Sequence, residues 1–156
     1  MAGIEHILVP TDGSTGAIKA ATYAGELARA LGSRVTLLYV QDSESMLSGV
    51  LGLAEFAGGV PANFESTEDV RRVLEKQARE RELPETSQAL GDGDTVAEMV
   101  TVWGHPADEI VKFVEEHAVD LVVIGSHGRS GLQRAFLGSV SQSVANQVSC
   151  PITIVK

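Results

Sequence analysis

Two short segments of the chain place glycines and polar side chains directly after an apolar run. The first is Pro10-Thr11-Asp12-Gly13-Ser14, and the second is Gly125-Ser126-His127-Gly128. Nine residues after the second segment, the pair Gly138-Ser139 stands at the predicted start of a helix. Glycine lets the backbone approach a ligand closely, and the free N–H groups at a helix start favour an anion. The spacing therefore predicts a cradle for a phosphate chain that needs few cationic side chains.

The better-known phosphate and nucleophile motifs are missing from the sequence. There is no Gly-x-x-x-x-Gly-Lys-Ser/Thr P-loop, and no Gly-x-Gly-x-x-Gly turn follows the first predicted strand. The Gly-x-Ser-x-Gly turn of α/β hydrolases is also absent. Ser126 beside His127 suggests a nucleophile and its base, but adjacent side chains in a turn rarely point at each other. We therefore expect His127 to have a structural or phosphate-binding role, and we predict no catalytic residue.

The residues of these segments also have simpler interpretations. Asp12 fits a turn or a helix cap as well as a ligand contact, and the glycines fit ordinary turns. Ser139 and Gln142 have the spacing of a capping box, so Ser139 is expected to cap the last helix. We favour ligand contact for Asp12 and the glycines, because the full spacing occurs at the ends of two predicted strands.

The remaining candidate groups are expected to be structural. His6, His105 and His117 lie on different predicted elements, so surface or capping roles are favoured over a metal site. Cys150 is the only cysteine, which excludes an internal disulfide, and it is expected to pack as a small apolar residue. Arg129, between the two glycine pairs, is equally consistent with a solvated side chain and with a phosphate contact.

Alternating strands and helices must position these segments. The apolar run of residues 6–12 stops at Pro10 and predicts a buried strand, and Ser14 can cap a helix that ends near Gly32. The alternation continues to the end of the chain, which favours parallel strands joined by right-handed crossovers, with helices on both faces. Further strands are predicted at 34–40, 96–103, 120–126 and 152–155, and further helices at 62–82, 106–117 and 138–148.

The two polar segments fall where ligands bind in open parallel sheets, which is beyond the carboxyl ends of the strands where the strand order reverses. They end the first and fourth predicted strands, and nothing comparable follows the second or third strand. Residues 41–60 and 83–95 are predicted to be loops. The apolar residues of 41–60 are expected to pack on their own domain, and the alternative is that they cover a site or contact a partner.

Composition limits the class of protein. The 156 residues, 44% hydrophobic and 21% charged, predict one globular domain spanning 1–156. No apolar run approaches a membrane span and no secretory signal is recognisable, so a cytoplasmic protein is expected. The net charge of −9 argues against a nucleic-acid or anionic-membrane surface. Most of the acidic surplus lies in 41–100, away from the glycine segments, so this charge does not exclude a phosphate ligand.

The complete spacing, Gly125-x-x-Gly128, nine residues, then Gly138-Ser139, resembles the nucleotide-binding signature of the universal stress protein family. The segments 7–14, 123–132 and 150–156 resemble that family as well. The resemblance covers the whole chain and is tightest over 6–40 and 118–156. It implies a Rossmann-like α/β fold of the adenine nucleotide alpha hydrolase-like type, with a five-stranded parallel sheet of order 3-2-1-4-5. That order places Asp12 and Gly125 across one crevice.

The resemblance also implies the candidate binding residues. The ligand would be ATP or another adenine nucleotide, with a magnesium ion held through its phosphates and no metal ligand predicted among the side chains. Asp12 and the backbone of Val40 would lie near adenine, and Pro10, Thr11 and Gly125 near the sugar and base. The residues along the phosphates would be His127, Gly128, Arg129, Gly138, Ser139 and Val140.

Three functions are consistent with the sequence. The favoured one is an ATP-binding regulatory or stress-response protein with at most slow hydrolysis, because the motif supplies binding groups and no clear general base or P-loop lysine. The alternative is a stress protein of the same fold that binds no nucleotide and acts through dimerisation and partner contacts. An enzyme of another α/β class is disfavoured by the missing catalytic groups. By resemblance, two protomers form a homodimer through Ile152–Val155, a predicted edge strand.

Overall fold

The computed structural model describes residues 3–42, 67–77, 79–80, 83–91, 97–128 and 137–156. Most of the predicted loop 41–60, together with Arg129, lies outside the described residues. None of the helices within the described ranges is long and apolar enough to cross a lipid bilayer. The elements are, in chain order, β1 (His6–Thr11), α1 (Thr15–Leu31), β2 (Arg34–Gln41), α2 (Thr67–Gln77), α3 (Leu83–Ala89), β3 (Ala97–Trp103), α4 (Pro106–Glu116), β4 (Leu121–Gly125), α5 (Ser139–Gln147) and β5 (Ile152–Val155).

The five strands form one parallel sheet in the order β3-β2-β1-β4-β5, which confirms the predicted fold class and strand order. β1 lies at the centre and pairs with β2 on one side and β4 on the other, so that Ile7 faces both Val35 and Leu121. The strand order therefore reverses between β1 and β4. Their carboxyl ends flank the crevice in which such sheets bind ligands.

Both faces of the sheet are covered by helices, as expected. Successive side chains of a strand point to opposite sides, so Ile7 and Val9 pack under α1 and α3 on one face. Leu8 and Leu38 pack under α4 and α5 on the other face. β1 and β4 are buried along their whole length, which is typical of the central strands of a parallel sheet. We call these two faces the α1–α3 side and the α4–α5 side.

α1 begins and ends at the residues that the sequence predicts. The Ser14 hydroxyl accepts a hydrogen bond from the Ala17 N–H (3.2 Å), which satisfies one of the free N–H groups of the first turn. Gly32 ends the helix with a φ of 70°, a left-handed conformation that favours glycine. Ala20 and Ala24 are fully buried, so small side chains let the helix lie close to the sheet.

Part of the predicted loop 83–95 is instead the helix α3. Pro84 is compatible with this helix because the N–H that proline lacks is not needed in the first turn. The helix is stabilised because Leu83, Thr86 and Leu90 recur at helical spacing and all three are buried. Arg29 of α1 donates from Nη1 to the Leu90 carbonyl oxygen (2.6 Å), which fastens the end of α3 to α1.

The predicted helix 62–82 is described over Thr67–Gln77, where α2 contacts the end of β3. Trp103 donates from Nε1 to Oε1 of Glu75 (2.7 Å). The guanidinium carbon of Arg71 lies 4.8 Å from the centroid of the indole ring, within the range of a cation–π contact. Trp103 is the only tryptophan of the chain, so its fluorescence can report on unfolding.

His6 lies in the core, so the expectation of a surface or capping role is wrong for this residue. It is 2% exposed because it belongs to the central strand β1. Its Nδ1 lies 3.1 Å from the His117 carbonyl oxygen, which can only accept, so Nδ1 carries the proton. Its Nε2 then accepts from the Thr36 hydroxyl (2.8 Å). The ring is thus held as a neutral imidazole with both nitrogens bonded.

The burial of His6 makes the stability of the protein sensitive to acid. Burial lowers the pKa of His6 below 6.5, and the positive charge of Arg34 adds to this effect. The unfolded state then binds more protons than the folded state, so the free energy of unfolding falls as the pH falls through about 6.5. In His6→Gln, we expect this pH slope to be shallower by up to about 1.4 kcal/mol per pH unit.

Urea unfolding between about pH 8 and about pH 5 measures this slope. His105→Gln makes the same substitution at an exposed histidine and is the matched control. Identical slopes for wild type and His6→Gln would contradict the account of the buried imidazole.

Candidate functional site

A cavity of about 420 Å³ opens at the carboxyl ends of the central strands. It lies where the strand order reverses between β1 and β4, the place at which open parallel sheets bind ligands. Its walls come from the ends of β1, β2 and β4 and from the first turns of α1, α4 and α5.

Every predicted binding residue within the described ranges lines this cavity, and Arg129 lies outside those ranges. The ends of strands and helices bring together residues from both ends of the sequence. These residues are Pro10, Thr11, Asp12, Val40, Gly125, His127, Gly128, Gly138, Ser139 and Val140. Their role in binding a nucleotide stays a prediction.

The Asp12 carboxylate is fixed at the end of β1. Its Oδ1 accepts a hydrogen bond from the Ser14 N–H (3.0 Å), an interaction typical of aspartate in turns. Its Oδ2 lies beside the backbone of Gly128, because a Cβ added at Gly128 would stand 2.6 Å from that oxygen. Asp12 therefore stabilises the turn before α1 and also lines the cavity, so its two interpretations are compatible.

Gly125 is required by the packing of α1 on β4. A Cβ added at Gly125 would lie 2.6 Å from the carbonyl carbon of Gly16, and a Cβ added at Gly16 would lie 2.5 Å from the carbonyl oxygen of His127. The first turn of α1 therefore crosses the end of β4 in backbone contact. This backbone contact requires glycine at position 125 whether or not a ligand binds. Gly125 also lines the cavity.

The start of α5 differs from the prediction. The N-cap is Gly138 and no side chain bonds to the cap, so the predicted capping box of Ser139 and Gln142 is wrong. The Gly138 N–H donates to the Ser126 carbonyl oxygen (2.8 Å), which holds the helix start beside the end of β4 and makes Ser139 the first helical residue. The N-terminal end of α5, which carries a partial positive charge, therefore lies at the cavity wall.

Ser126 and His127 interact directly, contrary to the expectation that these adjacent side chains would not meet. Oγ of Ser126 lies 3.0 Å from Nδ1 of His127. Ser126 is still hydrogen-bonded to β5 through its N–H, which donates to the Val155 carbonyl oxygen (2.7 Å). The backbone of Ser126 is thus held by β5, while its neighbour His127 lines the cavity.

Asp42, Pro106 and Ile110 also line the cavity, although the predicted site included only Val40 from this part of the sheet. Asp42 follows β2 directly, and Pro106 and Ile110 lie at the start of α4, which follows β3. The position of Asp42 after an apolar strand matches that of Asp12, and this signal could have identified it. Pro106 and Ile110 carry no such signal, because they reach the cavity only through the packing of α4 on the sheet.

The cavity offers apolar walls, hydrogen-bond acceptors and backbone N–H groups. Leu38, Ile110 and Ile124 supply apolar surface, and Asp12 and Asp42 supply carboxylates. Among the described lining residues there is no lysine or arginine. Across the described part of the chain, no group of three His, Cys, Asp or Glu side chains could hold a metal ion. The arrangement suits a ligand with an apolar ring, hydrogen-bond donors and an anionic group.

The sheet and its cavity define the doubly wound class of α/β proteins, whose ligands bind where the strand order reverses. The family model described as "Universal stress protein family" matches residues 3–156. The chain therefore belongs to the universal stress protein family, which confirms the resemblance seen in the sequence.

Two relatives from Methanocaldococcus jannaschii match almost the whole chain. Universal stress protein MJ0531 is 31% identical over 152 residues, which cover 97% of this chain and 82% of the relative. Universal stress protein MJ0577 is 30% identical over an alignment 160 residues long, which includes 97% of this chain and 94% of the relative. The similarity therefore extends well beyond the glycine segments.

Solved structures share the fold. The structure of protein MJ0577 has a TM-score of 0.77 at 27% identity and covers 99% of this chain and 97% of that one. A universal stress protein in complex with cAMP has a TM-score of 0.61 at 23% identity, covering 99% and 98%. The universal stress protein from Archaeoglobus fulgidus in complex with dAMP has a TM-score of 0.59 at 19% identity, covering 100% of both chains.

Proposed function

We propose that this chain binds ATP, or another adenine nucleotide, in the cavity where the strand order reverses. The observation that carries the proposal is the convergence of Asp12, Gly128 and Gly138 on one cavity of about 420 Å³. The proposal is supported by the two proteins of the same fold that were solved with cAMP and with dAMP. It is further supported by the apolar walls and acceptor groups, which suit a purine ring and its amino group.

The proposed nucleotide lies across the ends of β1 and β4. Its adenine is placed near Asp12 and Val40, and its phosphates are placed against the glycines that follow β4 and precede α5. The N–H groups at the start of α5, together with the helix dipole, favour the phosphate charge. A magnesium ion bound through the phosphates would offset part of that charge near Asp12 and Asp42.

In this proposal the nucleotide is a regulatory ligand that is hydrolysed slowly at most. The sequence has no P-loop lysine, which in other nucleotide-binding proteins stabilises the charge that develops during phosphoryl transfer. Backbone N–H groups that hold the ground state and the transition state equally well raise affinity more than rate. The nucleotide-bound protein would differ from the nucleotide-free protein in its affinity for a partner protein. We place this regulatory function in the cytoplasm.

Calorimetric titration of nucleotide-free protein with ATP and Mg²⁺ tests the proposal, and Asp12→Ala tests its location. We expect Asp12→Ala to weaken binding about tenfold, because one hydrogen bond to a charged group is lost. Chromatography of any ligand released on unfolding identifies the nucleotide that the protein carries.

Asp108→Ala is the matched control, because Asp108 is exposed and does not line the cavity. It should bind ATP as the wild type does. Absence of binding by the wild type would contradict the proposal, and equal affinities of all three proteins would place the nucleotide elsewhere.

We also propose that two protomers form a homodimer through β5. This strand lies at one edge of the sheet, and its residues are half-buried. Ile152 and Ile154 pack against the α4–α5 side of the core. An edge strand presents unpaired N–H and C=O groups, so a second copy of β5 could pair with it.

Polar substitution of Ile152 or Ile154 by asparagine is expected to convert the dimer into monomers, because it places an amide in the apolar part of the proposed interface. Sedimentation velocity measures the change. Met99→Asn alters an exposed residue (54%) on the opposite edge strand, β3, and should leave the dimer intact. A monomeric wild type, or dimers that persist in both β5 variants, would refute the interface.

A further inference from the structure

Ser126 is held between β4, β5 and α5. Its N–H donates to the Val155 carbonyl oxygen (2.7 Å), and its carbonyl oxygen accepts from the Gly138 N–H (2.8 Å). The residue is only 8% exposed. Its hydroxyl oxygen lies 3.0 Å from Nδ1 of His127, which lines the cavity. With the backbone fixed and the side chain buried, the hydroxyl has little freedom to turn to a different partner.

The burial of Ser126 determines which atom of the pair donates. A buried hydroxyl that donates no hydrogen bond costs free energy, so buried O–H groups nearly always have an acceptor. Among the described residues, Nδ1 of His127 is the one acceptor that the Ser126 hydroxyl contacts. The hydroxyl therefore donates to the lone pair of Nδ1. A neutral imidazole with an accepting Nδ1 carries its proton on Nε2.

We propose that Ser126 is a positioning residue that holds His127 in the Nε2–H tautomer, so that Nε2–H donates to a phosphate group of the bound nucleotide. The phosphate contact rests on the proposed function, whereas the tautomer does not. The carboxylates of Asp12 and Asp42 line the cavity and repel a phosphate group, so an oriented neutral donor offsets part of that repulsion. In the opposite tautomer Nε2 would be an acceptor, which repels a phosphate oxygen.

The tautomer can be read from the ¹⁵N chemical shifts of the imidazole nitrogens in nucleotide-free protein at about pH 8.5. Loss of signals in His127→Gln assigns the ring. Nε2 is expected to be the protonated nitrogen in the wild type. In Ser126→Ala the shifts should move towards the average of the two tautomers, and Ser126→Thr, which restores a hydroxyl, should recover the wild-type pattern.

Ser141→Ala is the matched control, because Ser141 is a buried serine of the same cavity wall whose hydroxyl donates to the Gly125 carbonyl oxygen (2.7 Å). It should leave the His127 shifts unchanged. A protonated Nδ1 in the wild type would overturn the proposal, as would unchanged His127 shifts in folded Ser126→Ala. If Ser126→Ala does not fold, the wild-type and Ser126→Thr spectra still decide the tautomer.

The phosphate contact is tested by comparing ATP with adenosine, which has no phosphates. His127→Ala is expected to weaken ATP binding about tenfold, the loss of one hydrogen bond to a charged group, and to change adenosine affinity by less than about twofold. Ser126→Ala leaves about half of the rings in the Nε2–H tautomer, so it should weaken ATP binding about twofold and leave adenosine affinity unchanged. Ser126→Thr should restore ATP binding. Equal losses for both ligands would show a structural role only and overturn the contact.

The outcomes also separate this inference from the proposed function. A wild type that has the Nε2–H tautomer but binds no ATP refutes the nucleotide proposal and the phosphate contact, and it leaves the tautomer assignment standing. A wild type that binds ATP with its proton on Nδ1 refutes the positioning role of Ser126 alone.

Discussion

Gly125→Ala is expected to lower the free energy of unfolding by about 3 kcal/mol. The added Cβ would stand 2.6 Å from the carbonyl carbon of Gly16 and 2.7 Å from its oxygen, so α1 and β4 would have to separate. Both atoms belong to the backbone, and β4 is buried along its whole length, so no flexible side chain can absorb the shift. Urea unfolding followed by Trp103 fluorescence measures the change.

Two further variants make this test specific. Gly3→Ala adds a Cβ that has no atom of the described residues within 4 Å, and it should change stability by less than about 0.5 kcal/mol. Gly16→Ala strains the same crossing of α1 over β4, so the Gly16→Ala/Gly125→Ala double variant should lose less than the sum of the single losses. Additive losses, or a Gly125→Ala protein as stable as the wild type, would contradict backbone contact at this crossing.

Gly128→Val is expected to weaken ATP binding about a hundredfold while changing the free energy of unfolding by less than about 1 kcal/mol. Gly128 is exposed, and within the described part of the chain its new Cβ would strongly strain one contact, at 2.6 Å, with the far end of the Asp12 side chain, which can shift by rotation about its own bonds. The folded state therefore tolerates the change. The proposed site does not, because Asp12 is displaced and two methyl groups are added at the cavity wall. Calorimetry with ATP and Mg²⁺ measures the affinity.

Gly3→Val is the control for the same chemical change at an open position away from the cavity, and it should bind ATP as the wild type does. Gly125→Ala is expected to lose mainly stability, whereas Gly128→Val is expected to lose mainly affinity for ATP. Wild-type affinity in Gly128→Val would show that the glycine turn after β4 does not touch the nucleotide.

Much of the fold could be predicted because its signals are local. The apolar runs of the strands, the Ser14 cap and the left-handed Gly32 each depend on a few neighbouring residues. The strand order came from the family resemblance, since strands that alternate with helices imply parallel pairing without fixing which strands are neighbours. The helix α3 was missed because Pro84 and the nearby glycines are typical of a loop. Its burial against α1 is a contact between residues distant in sequence.

The candidate site was predictable where it follows strand ends and unpredictable where it depends on packing. Asp12 follows β1 directly, and Gly128 belongs to the short segment after β4, so their meeting follows from the pairing of these two strands. The requirement for glycine at position 16 could not be recognised from the sequence, because it arises only where α1 crosses β4. The pairing of Ser126 with His127 was missed for a related reason, since the bond of Ser126 to β5 sets the direction of its side chain.

The claim that a nucleotide binds where the strand order reverses is tested most directly by titrating the amide ¹H–¹⁵N spectrum of the protein with ATP and Mg²⁺. We expect the largest shifts at Asp12, Gly128 and Gly138, which line the cavity. Glu5 and Asp120, at the opposite ends of β1 and β4, should not move. Saturable shifts confined to the cavity would agree with this account, and shifts centred on Glu5 and Asp120, or no saturable shifts at all, would contradict it.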